Sequence, residues 1–447
     1  MSMLDTDPDL VTQAYLYGFP LVFNLDQVNR YVHEGVGASP AAPFNTFSHA
    51  RSLAGPDDTF VTINNDTVYS VAQLDLSVGP VVLHVPDTGG RYYVLQFVDA
   101  WTNNFAYIGH RATGTREGRF LLVPPAWDGQ APDDATVVRL PTLVASVVGR
   151  WAVDTDDDLA RVHALQDATT LTPLDVAAEP AGLALPDAAV PDELVFLEKL
   201  RIWSQQLPPA ERDMPLQNSL EPIGLTTVGA SPYVGLPATQ VTALAAGLEH
   251  AKGTLHQALV SGGSSPEVNG WKLALHAFGY NLDFFEVGAI DADEFKMQDP
   301  KLRVVERAAA AIGGLWGNHA YEAAYVLTYV DDHGDQLTGA HTYTLRLQPT
   351  PPVNAFWSLT MYSVPDFYLV ENSLGRYSIG DRTRGIVLDD DGALTIMISH
   401  ERPADPKAAA NWLPCPAGDF RPVMRMYEPD SAVLDGSYVL PAITRAA

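Results

Sequence analysis

Short runs of β-branched and aromatic residues, separated by turns rich in Gly, Pro and Asp, constrain the fold of this chain more than any other feature. Such runs occupy residues 60–63, 80–85 and 91–98, and they return towards the C-terminus at 343–347 and 356–362. Many short strands at regular spacing are typical of sandwiches and barrels rather than of alternating strand and helix units. The 34 Gly and 34 Pro among 447 residues agree with a turn-rich architecture.

Two regions interrupt the strand-like pattern with helical periodicity. Asp7-Pro8-Asp9 suits a helix start, because Asp caps free N–H groups and Pro tolerates the first turn, and Pro20 predicts a kink or break further on. Residues 192–320 are mainly helical in pattern. We therefore predict a mainly β protein with α content, formed by two β-sandwich, jelly-roll-like domains with an N-terminal helix and a helical segment between them. The predicted boundaries are a helical arm over 1–57, an N-terminal β-sandwich over 58–185, a helical connecting segment over 186–320 and a C-terminal β-sandwich over 321–447.

The charge balance excludes some classes of partner. Acidic residues number 54 against 27 basic ones, a net charge of −27 that repels nucleic acid and anionic membrane surfaces. The excess serves solubility or, alternatively, cation binding. The single cysteine, Cys415, excludes an intramolecular disulfide. The first residues lack a signal-peptide pattern and no apolar run is long enough to span a bilayer, so we expect a cytoplasmic protein that binds a small molecule, with a homo-oligomer left open.

The densest polar stretch is Asn64-Asn65-Asp66-Thr67-Val68-Tyr69-Ser70, directly after a predicted strand. Asn and Asp side chains mimic the backbone in turns, so a purely structural turn explains the motif. The alternative is a ligand site at the mouth of a sandwich. In that interpretation Asn64, Asn65 and Tyr69 bind the ligand and Asp66 acts as an acid or base.

A second polar stretch follows the strand-like run 91–98. It contains Asp99 and Asn103 and continues into Gly109-His110-Arg111. Histidine titrates near neutral pH, so His110 and Asp99 are candidate catalytic groups, while Asn103 and Arg111 are candidate ligand contacts. A packed or surface histidine and an Asp99–Arg111 pair are the structural alternative.

The C-terminal part adds four candidate ligand contacts. Tyr362 ends a strand-like run that places Ser358 and Thr360 on the same face. Arginines bind carboxylates and phosphates through two parallel hydrogen bonds, and they equally lock loops. The remaining candidates are Arg376, Arg382 and Trp412.

Signals for metals and cofactors are weak. The chain has no His-x-His pair, and the acidic stretches 331–335 and 389–392 are interpreted as hairpin turns without calcium-loop spacing. No glycine-rich turn between a strand and a helix indicates a nucleotide site. We predict neither a metal nor a cofactor.

Several of these motifs resemble a known pair of domain families. Tyr15–Leu21, Asn64–Ser70 and Gly109–Gly114 resemble the N-terminal family of unknown function DUF1254. This chain also resembles the usual C-terminal companion of that family, DUF1214, at Asn354–Thr360, Arg376–Arg382, Asn411–Pro414 and Leu434–Ser437. The resemblance implies two jelly-roll-like β-sandwich domains surrounded and joined by helices. The resemblance implies no particular reaction. Many members of these families are exported, whereas the start of this chain lacks an export signal.

Three functions remain open. The first is an enzyme that acts on a small polar or amphipathic molecule, such as a sugar or polyketide-like metabolite, without a redox cofactor. The second is a non-catalytic ligand-binding or scaffold protein whose polar residues lock the two sandwiches together, and the third is a divalent-metal enzyme. The first two predict different arrangements of the same five residues in space. The candidate residues Asp66, Tyr69, Asp99, Arg111 and Arg376 line one pocket in an enzyme and lie in separate turns in a scaffold.

Overall fold

The computed structural model describes residues 3–58, 62–260 and 265–446. Helices account for 28% of the chain and strands for 26%. The helices within the described residues are α1 (Pro8–His33), α2 (His110–Thr113), α3 (Leu159–Ala168), α4 (Val195–Gln206), α5 (Met214–Ser219), α6 (Ala238–Val260), α7 (Pro300–Gly314), α8 (Pro406–Ala410) and α9 (Ser431–Leu434).

The N-terminal β domain is a sandwich of two sheets. Its strands are β1 (Phe47–His49), β2 (Thr67–Asp75), β3 (Val81–Val85), β4 (Tyr93–Asp99), β5 (Asn104–Gly109), β6 (Gly118–Val123), β7 (Thr136–Arg139), β8 (Val144–Ala152) and β9 (Thr170–Pro173). The order β1-β2-β8-β4-β5 forms the N-terminal central sheet, and β7-β6-β3-β9 forms the peripheral sheet. Alternate side chains such as Leu83, Leu95, Leu122 and Trp151 meet between them in one apolar core.

The C-terminal β domain repeats this arrangement. Its strands are β10 (Glu267–Val268), β11 (Trp271–Leu273), β12 (Ala323–Thr328), β13 (Tyr343–Leu347), β14 (Val353–Ser363), β15 (Ser378–Gly380), β16 (Leu394–Ser399), β17 (Trp412–Pro414), β18 (Phe420–Pro429) and β19 (Thr444–Arg445). The C-terminal central sheet has the order β10-β11-β12-β18-β14-β15, and the peripheral sheet has the order β17-β16-β13-β19. Residues such as Leu345, Leu359, Ile396 and Met424 form the core between the two sheets.

The helices form a layer in which α1 packs against α4, α6 and α7. The helix α1 begins at Pro8 and is capped by Asp7, whose side chain accepts the N–H of Asp9 at 3.0 Å, as predicted. The predicted break at Pro20 is wrong, because α1 continues through Pro20 to His33. Both Pro20 and its neighbour Leu21 are buried, so tertiary packing of the apolar face outweighs the loss of one backbone hydrogen bond.

The two central sheets face each other through their outer surfaces. An aromatic cluster that includes Tyr92, Tyr107, Phe356 and Tyr427 joins them. The strands β4, β8 and β18 are consequently buried on both faces, although an antiparallel sheet usually exposes one face to water. This interface brings side chains from opposite ends of the chain together.

The predicted class of two β-sandwiches with an N-terminal helix and a helical connecting segment is confirmed. The short strands β10 and β11 lie inside the predicted helical segment 186–320 and extend the C-terminal central sheet through β12. Part of the predicted strand 60–63, residues 60 and 61, lies outside the described residues. In the described ranges, no helix combines the length and apolar character needed to cross a membrane.

Candidate functional site

The polar stretch of residues 62–66 crosses from the N-terminal domain onto the C-terminal central sheet. We call this contact the interdomain clasp. Three backbone carbonyls of the stretch accept hydrogen bonds from C-terminal side chains, and Arg421 donates a fourth bond to the hydroxyl of Thr62. The three carbonyl contacts are Arg425 Nη2 to Thr62 O (2.9 Å), Tyr362 Oη to Ile63 O (2.5 Å) and Arg382 Nη2 to Asp66 O (3.3 Å).

The carboxylate of Asp66 belongs to this clasp and does not cap its own turn. Its Oδ2 accepts hydrogen bonds from the hydroxyls of Ser358 at 2.7 Å and Tyr427 at 3.1 Å, both in the C-terminal domain. The turn is instead capped by Asn64, whose Oδ1 accepts the N–H of Asp66 at 2.6 Å. Asp66 is only 5% exposed, so its charge lies inside the interface.

The two asparagines of the motif stabilise local structure. Asn64 Nδ2 donates to Thr67 Oγ1 at 2.8 Å, and Asn65 Nδ2 donates to the carbonyl of Ala54 at 2.5 Å. These are the bonds expected of side chains that imitate the backbone in a turn. Of the three Asx residues, only Asp66 directs its side chain to the second domain.

At the same interface the guanidinium of Arg150 lies near three tyrosines, Tyr31, Tyr69 and Tyr325; we call this group of residues the tyrosine crevice. The three tyrosines are partly exposed, whereas Arg150 is 6% exposed. The guanidinium carbon of Arg150 lies 5.4 Å from the ring centroid of Tyr69, its strand neighbour in the sheet. Asn318 Nδ2 donates to the hydroxyl of Tyr325 at 3.2 Å. The crevice therefore combines a buried cation with aromatic walls.

The hydrogen-bond partners of Arg150 are neutral. Its Nη1 donates to Gln96 Oε1 at 2.8 Å and more weakly to Asn318 Oδ1 at 3.4 Å, and its Nη2 donates to the carbonyl of Trp316 at 2.8 Å. Trp316 has a φ of 63°, a conformation rarely adopted by large residues. No carboxylate forms an ion pair with Arg150 in the part of the chain that the structure describes.

Arg425 is a second buried guanidinium close to the crevice, 3% exposed and hydrogen-bonded to Thr360 Oγ1 at 3.0 Å. Burial acts to lower the pKa of both arginines, but the neighbouring tyrosines and, for Arg425, Asp66 raise the pKa overall. Both groups therefore stay cationic. Asp66 is the acidic residue close to these two arginines. This part of the interior therefore carries a net positive charge, although the protein as a whole is very acidic.

A further group of ionisable side chains joins α2 to the ends of β12 and β18. His110 Nδ1 lies 2.8 and 3.0 Å from the two carboxylate oxygens of Glu428, and Arg111 Nε donates to Glu322 Oε2 at 2.6 Å. The hydroxyl of Tyr92 donates to Glu322 Oε1 at 3.0 Å. These bonds connect the two domains beside Tyr92, whose ring centroid lies 5.6 Å from that of Tyr427.

Burial of Glu322 gives this group its electrostatic character. Glu322 is 1% exposed, and burial raises the pKa of its carboxyl against the opposing effect of Arg111. Glu428 has a φ of 50°, which is strained for a residue with a Cβ atom. The side chain of His110 is 32% exposed and faces water beside the interface.

Asp99 and Asn103 lie away from the interface, against the helical layer. Both carboxylate oxygens of Asp99 accept bonds from Asn103, Oδ1 from its N–H and Oδ2 from Nδ2, each at 2.8 Å. Asp99 is 1% exposed, and burial raises its pKa to about 6, although Asn103 and Arg307 lower it in part. The structure therefore places these two candidates in a buried turn.

Arg376 and Trp412 lie within the C-terminal domain. Arg376 Nη1 donates to the carbonyls of Ala410 and Trp412, each at 2.9 Å, and Trp412 Nε1 donates to the carbonyl of Ser399 at 3.0 Å. Arg382 is different, because it reaches Asp154 of the N-terminal domain at 3.2 Å and lies over the ring of Phe356. Arg376 therefore locks a loop, and Arg382 joins the domains.

The structure brings together only part of the predicted set. Asp66, Tyr69, Tyr362 and Arg382 meet at the clasp and the crevice, and His110 and Arg111 meet at the same interface further along. Sequence reasoning missed several residues at this interface. For one of them, Arg150, the sequence contains a signal that could have identified it. A single charged residue in the otherwise apolar strand Val144–Ala152 indicates a buried group with a special role. The other missed residues are Tyr325, Arg425, Tyr427, Glu322 and Glu428.

A serine and histidine pair in the N-terminal domain does not form an accessible catalytic site. Ser70 Oγ lies 2.8 Å from His49 Nδ1, but Ser70 is fully buried and also accepts bonds from Trp151 and Gln166. Burial and Arg51 lower the pKa of His49 to about 4. A substrate cannot reach this hydroxyl without opening the core.

One group of potential metal ligands, Asp331, Asp332 and His333, occurs among the described residues. The carboxylate of Asp331 already accepts the backbone N–H groups of His333 and Asp335 and contacts Arg445 at 3.2 Å. These bonds are those of a hairpin turn, as the sequence predicted for this stretch.

Two family models match parts of this chain, and two solved structures are similar to it to different degrees. The families described as proteins of unknown function DUF1254 and DUF1214 match residues 44–173 and 322–431. The crystal structure of the VPA0106 protein from Vibrio parahaemolyticus is 24% identical, with a TM-score of 0.73 over 98% of this chain and 100% of that chain. An uncharacterized protein from Burkholderia cenocepacia is 11% identical, with a TM-score of 0.46 over 97% and 88%. No curated protein matches the chain.

Proposed function

We propose that this chain acts on a small organic anion bound in the tyrosine crevice. The premise is that the chain belongs to the family in which a DUF1254 domain precedes a DUF1214 domain. The family carries no established activity, so the proposal depends on the site. The ligand is a polar or amphipathic molecule with one acidic group, such as a sugar acid or a phenolic acid. No redox cofactor takes part in this proposal.

One observation carries the proposal: Arg150 is a buried cation whose hydrogen-bond partners are neutral. Burying a charge without an opposite charge is costly, and proteins usually pair such groups. An anionic ligand would supply the missing negative charge. The partly exposed rings of Tyr31, Tyr69 and Tyr325 suit the apolar body of the same ligand, since aromatic walls and a few polar groups are typical of small-molecule sites.

Proton transfer in this proposal falls to Asp66 and Tyr427. The hydroxyl of Tyr427 donates to Asp66 Oδ2 at 3.1 Å, and Tyr427 interacts electrostatically with Tyr69 and Tyr325 at the crevice. A carboxylate and a phenol joined by a hydrogen bond can pass a proton towards a bound molecule. The imidazole of His110 contacts Glu428 and none of the crevice residues, so it is assigned no role in this crevice.

Paired ligands test the charge requirement by thermal shift. We expect 4-hydroxybenzoate or gluconate to raise the Tm by about 2–5 °C, because a ligand bound only to the folded state stabilises it. The neutral counterparts 4-hydroxybenzyl alcohol and sorbitol should leave the Tm unchanged. Arg150→Gln should abolish the response, and Tyr69→Phe, which keeps the ring, should weaken it.

The matched control is Arg139→Gln, which removes an exposed arginine from the same domain and should keep the full response. Equal stabilisation by the charged and the neutral member of each pair would refute the proposal. Retention of the anion response in Arg150→Gln would do the same.

A scaffold function is the second candidate, and the interdomain clasp favours it. Six C-terminal side chains bind residues 62–66, a larger number than a ligand site requires. In this function the interface residues hold the two sandwiches in one orientation, and any ligand response is unrelated to them.

Asp66→Asn separates the two functions. The change removes the negative charge that accepts the hydroxyls of Ser358 and Tyr427, and hydrogen bonds to a charged group are stronger than those to a neutral one, so we expect the free energy of unfolding to fall by about 1–3 kcal/mol in either case. The scaffold function predicts an unchanged anion response in the thermal-shift assay, whereas the ligand proposal predicts a stronger one, because the change removes a negative charge that repels the anion. The control Asp154→Asn removes a carboxylate whose side chain is 62% exposed and should cost less than about 1 kcal/mol.

A further inference from the structure

A second crevice lies outside the interface between the sandwiches, in the helical layer. It is bounded by α1, by the turn that precedes α5 and by α7. Its lining residues are Tyr17, Asp213, Arg303, Val304 and Arg307. The space is small, with room for about one water-sized sphere, so it does not suit an organic ligand.

Two guanidiniums on successive turns of α7 share one carboxylate in this crevice. Arg303 and Arg307 are 6% and 7% exposed. Arg303 contacts both oxygens of Asp213, at 2.6 and 3.3 Å, while Arg307 Nη1 lies 3.9 Å from Asp213 Oδ2. The second nitrogen of Arg307, Nη2, donates to the neutral amide oxygen of Asn103.

Both arginines also keep one donor without a partner. The Nε atoms of Arg303 and Arg307 are buried and have no hydrogen-bond acceptor among the described residues. A buried N–H group without an acceptor costs about 1–3 kcal/mol, and more when the group is charged. Such groups in a folded protein usually have an ion or a water as partner.

The neighbouring polar groups bond to other partners, and none of them accepts a hydrogen bond from either Nε atom. Asp99 faces Arg307, but both of its oxygens accept bonds from Asn103. Tyr17 donates its hydroxyl to Gln217 Oε1 at 3.1 Å, and the ring of Tyr280 lies 4.9 Å from the Arg307 guanidinium carbon. Burial lowers the pKa of Arg307 despite Tyr280, Asp99 and Asp213.

We propose that this crevice binds one chloride ion between Arg303 and Arg307. A monatomic anion is only slightly larger than the water-sized space, accepts hydrogen bonds from several N–H groups at once and needs no acceptor in return. It also adds negative charge beside two buried cations that share the carboxylate of Asp213, while the carboxylate of Asp99, which also attracts Arg307, is bonded to Asn103. The ion ties α7 to α1 and to the Glu211–Asp213 turn, and it has no part in the tyrosine crevice.

Bromide locates the ion directly. Crystals of the whole chain soaked in sodium bromide should show an anomalous peak within hydrogen-bond distance of Arg303 and Arg307. Anomalous density absent from this crevice, with bromide peaks elsewhere, would overturn the proposal. This measurement needs no variant, so it stands even if the variants below fail to fold.

Thermal melting gives the second readout. Sodium chloride should raise the Tm by about 1–3 °C over sodium methanesulfonate at equal ionic strength, because the larger anion does not fit. Arg307→Gln should remove this difference, and the control Arg212→Gln, an arginine with a 48% exposed side chain in the adjacent turn, should keep it. A chloride effect that persists in Arg307→Gln would contradict a site between these arginines.

Discussion

We expect Arg111→Met to lower the free energy of unfolding by about 3–5 kcal/mol, because it leaves Glu322 buried without its cation. Glu322 is 1% exposed and loses the 2.6 Å bond from Arg111 Nε, keeping only the hydroxyl of Tyr92 among its side-chain donors. Chemical denaturation at neutral pH measures the change. The midpoint should shift by several times the effect of an ordinary surface mutation.

The matched control is Arg119→Met in the same domain. Arg119 pairs with Asp134, but their side chains are 45% and 60% exposed, so this change should cost less than about 1 kcal/mol. The double variant Arg111→Met, Glu322→Met should recover much of the loss, because it buries no unpaired charge. Equal costs for Arg111→Met and Arg119→Met would contradict a role for Arg111 in joining the domains.

The second large effect concerns pH and Asp99. Burial raises the pKa of this carboxyl from 3.8 to about 6, so the folded protein holds the proton more tightly than the unfolded chain does. The resulting stabilisation is fully present below pH 3.8 and is lost as the pH rises through about 6. A shift of about two units corresponds to about 3 kcal/mol.

Asp99→Asn removes this titration. We expect the difference in unfolding free energy between wild type and Asp99→Asn to change by about 3 kcal/mol between pH 4 and pH 7, with the wild type losing stability relative to the variant as the pH rises. Urea denaturation across this range measures the slope. The exposed Asp128→Asn should show no comparable slope. A pH-independent difference for Asp99→Asn would show that the carboxyl titrates alike in both states.

Local sequence signals were sufficient to predict whether a segment is a helix or a strand, and to predict many of the positions of these elements. The start of α1 at Pro8 follows from Asp7 and its bond to Asp9, and the position of β14 follows from the β-favouring side chains of Phe356 to Tyr362. Motifs in both domains were also sufficient to identify the two families, which the matches to residues 44–173 and 322–431 confirm. These features depend on neighbours within a few residues, so a single sequence contains them.

The composition of the candidate site was only partly predictable. Asp66 and Tyr69 stood out because their motif is rich in Asx residues, but the partners that define their roles, Ser358, Tyr427 and Arg150, are between 81 and 361 residues away along the chain. Arg111 stood out as a cation, yet the sequence suggested Asp99 as its partner and the structure supplies Glu322. Charges can be read from a sequence, whereas their pairing depends on which surfaces pack together.

The sequence by itself determined two turn-rich β regions, a helical segment between them, and a set of polar residues at the ends of strands. Only the tertiary structure decided that two central sheets face each other, that Pro20 lies inside an unbroken helix, and that Arg150 is buried among neutral partners. The physical reason is the distance along the chain over which each effect acts. Propensity and periodicity act over a few residues, but burial, which changes the cost of a proline, a carboxylate or a guanidinium, arises from contacts between segments far apart in the chain.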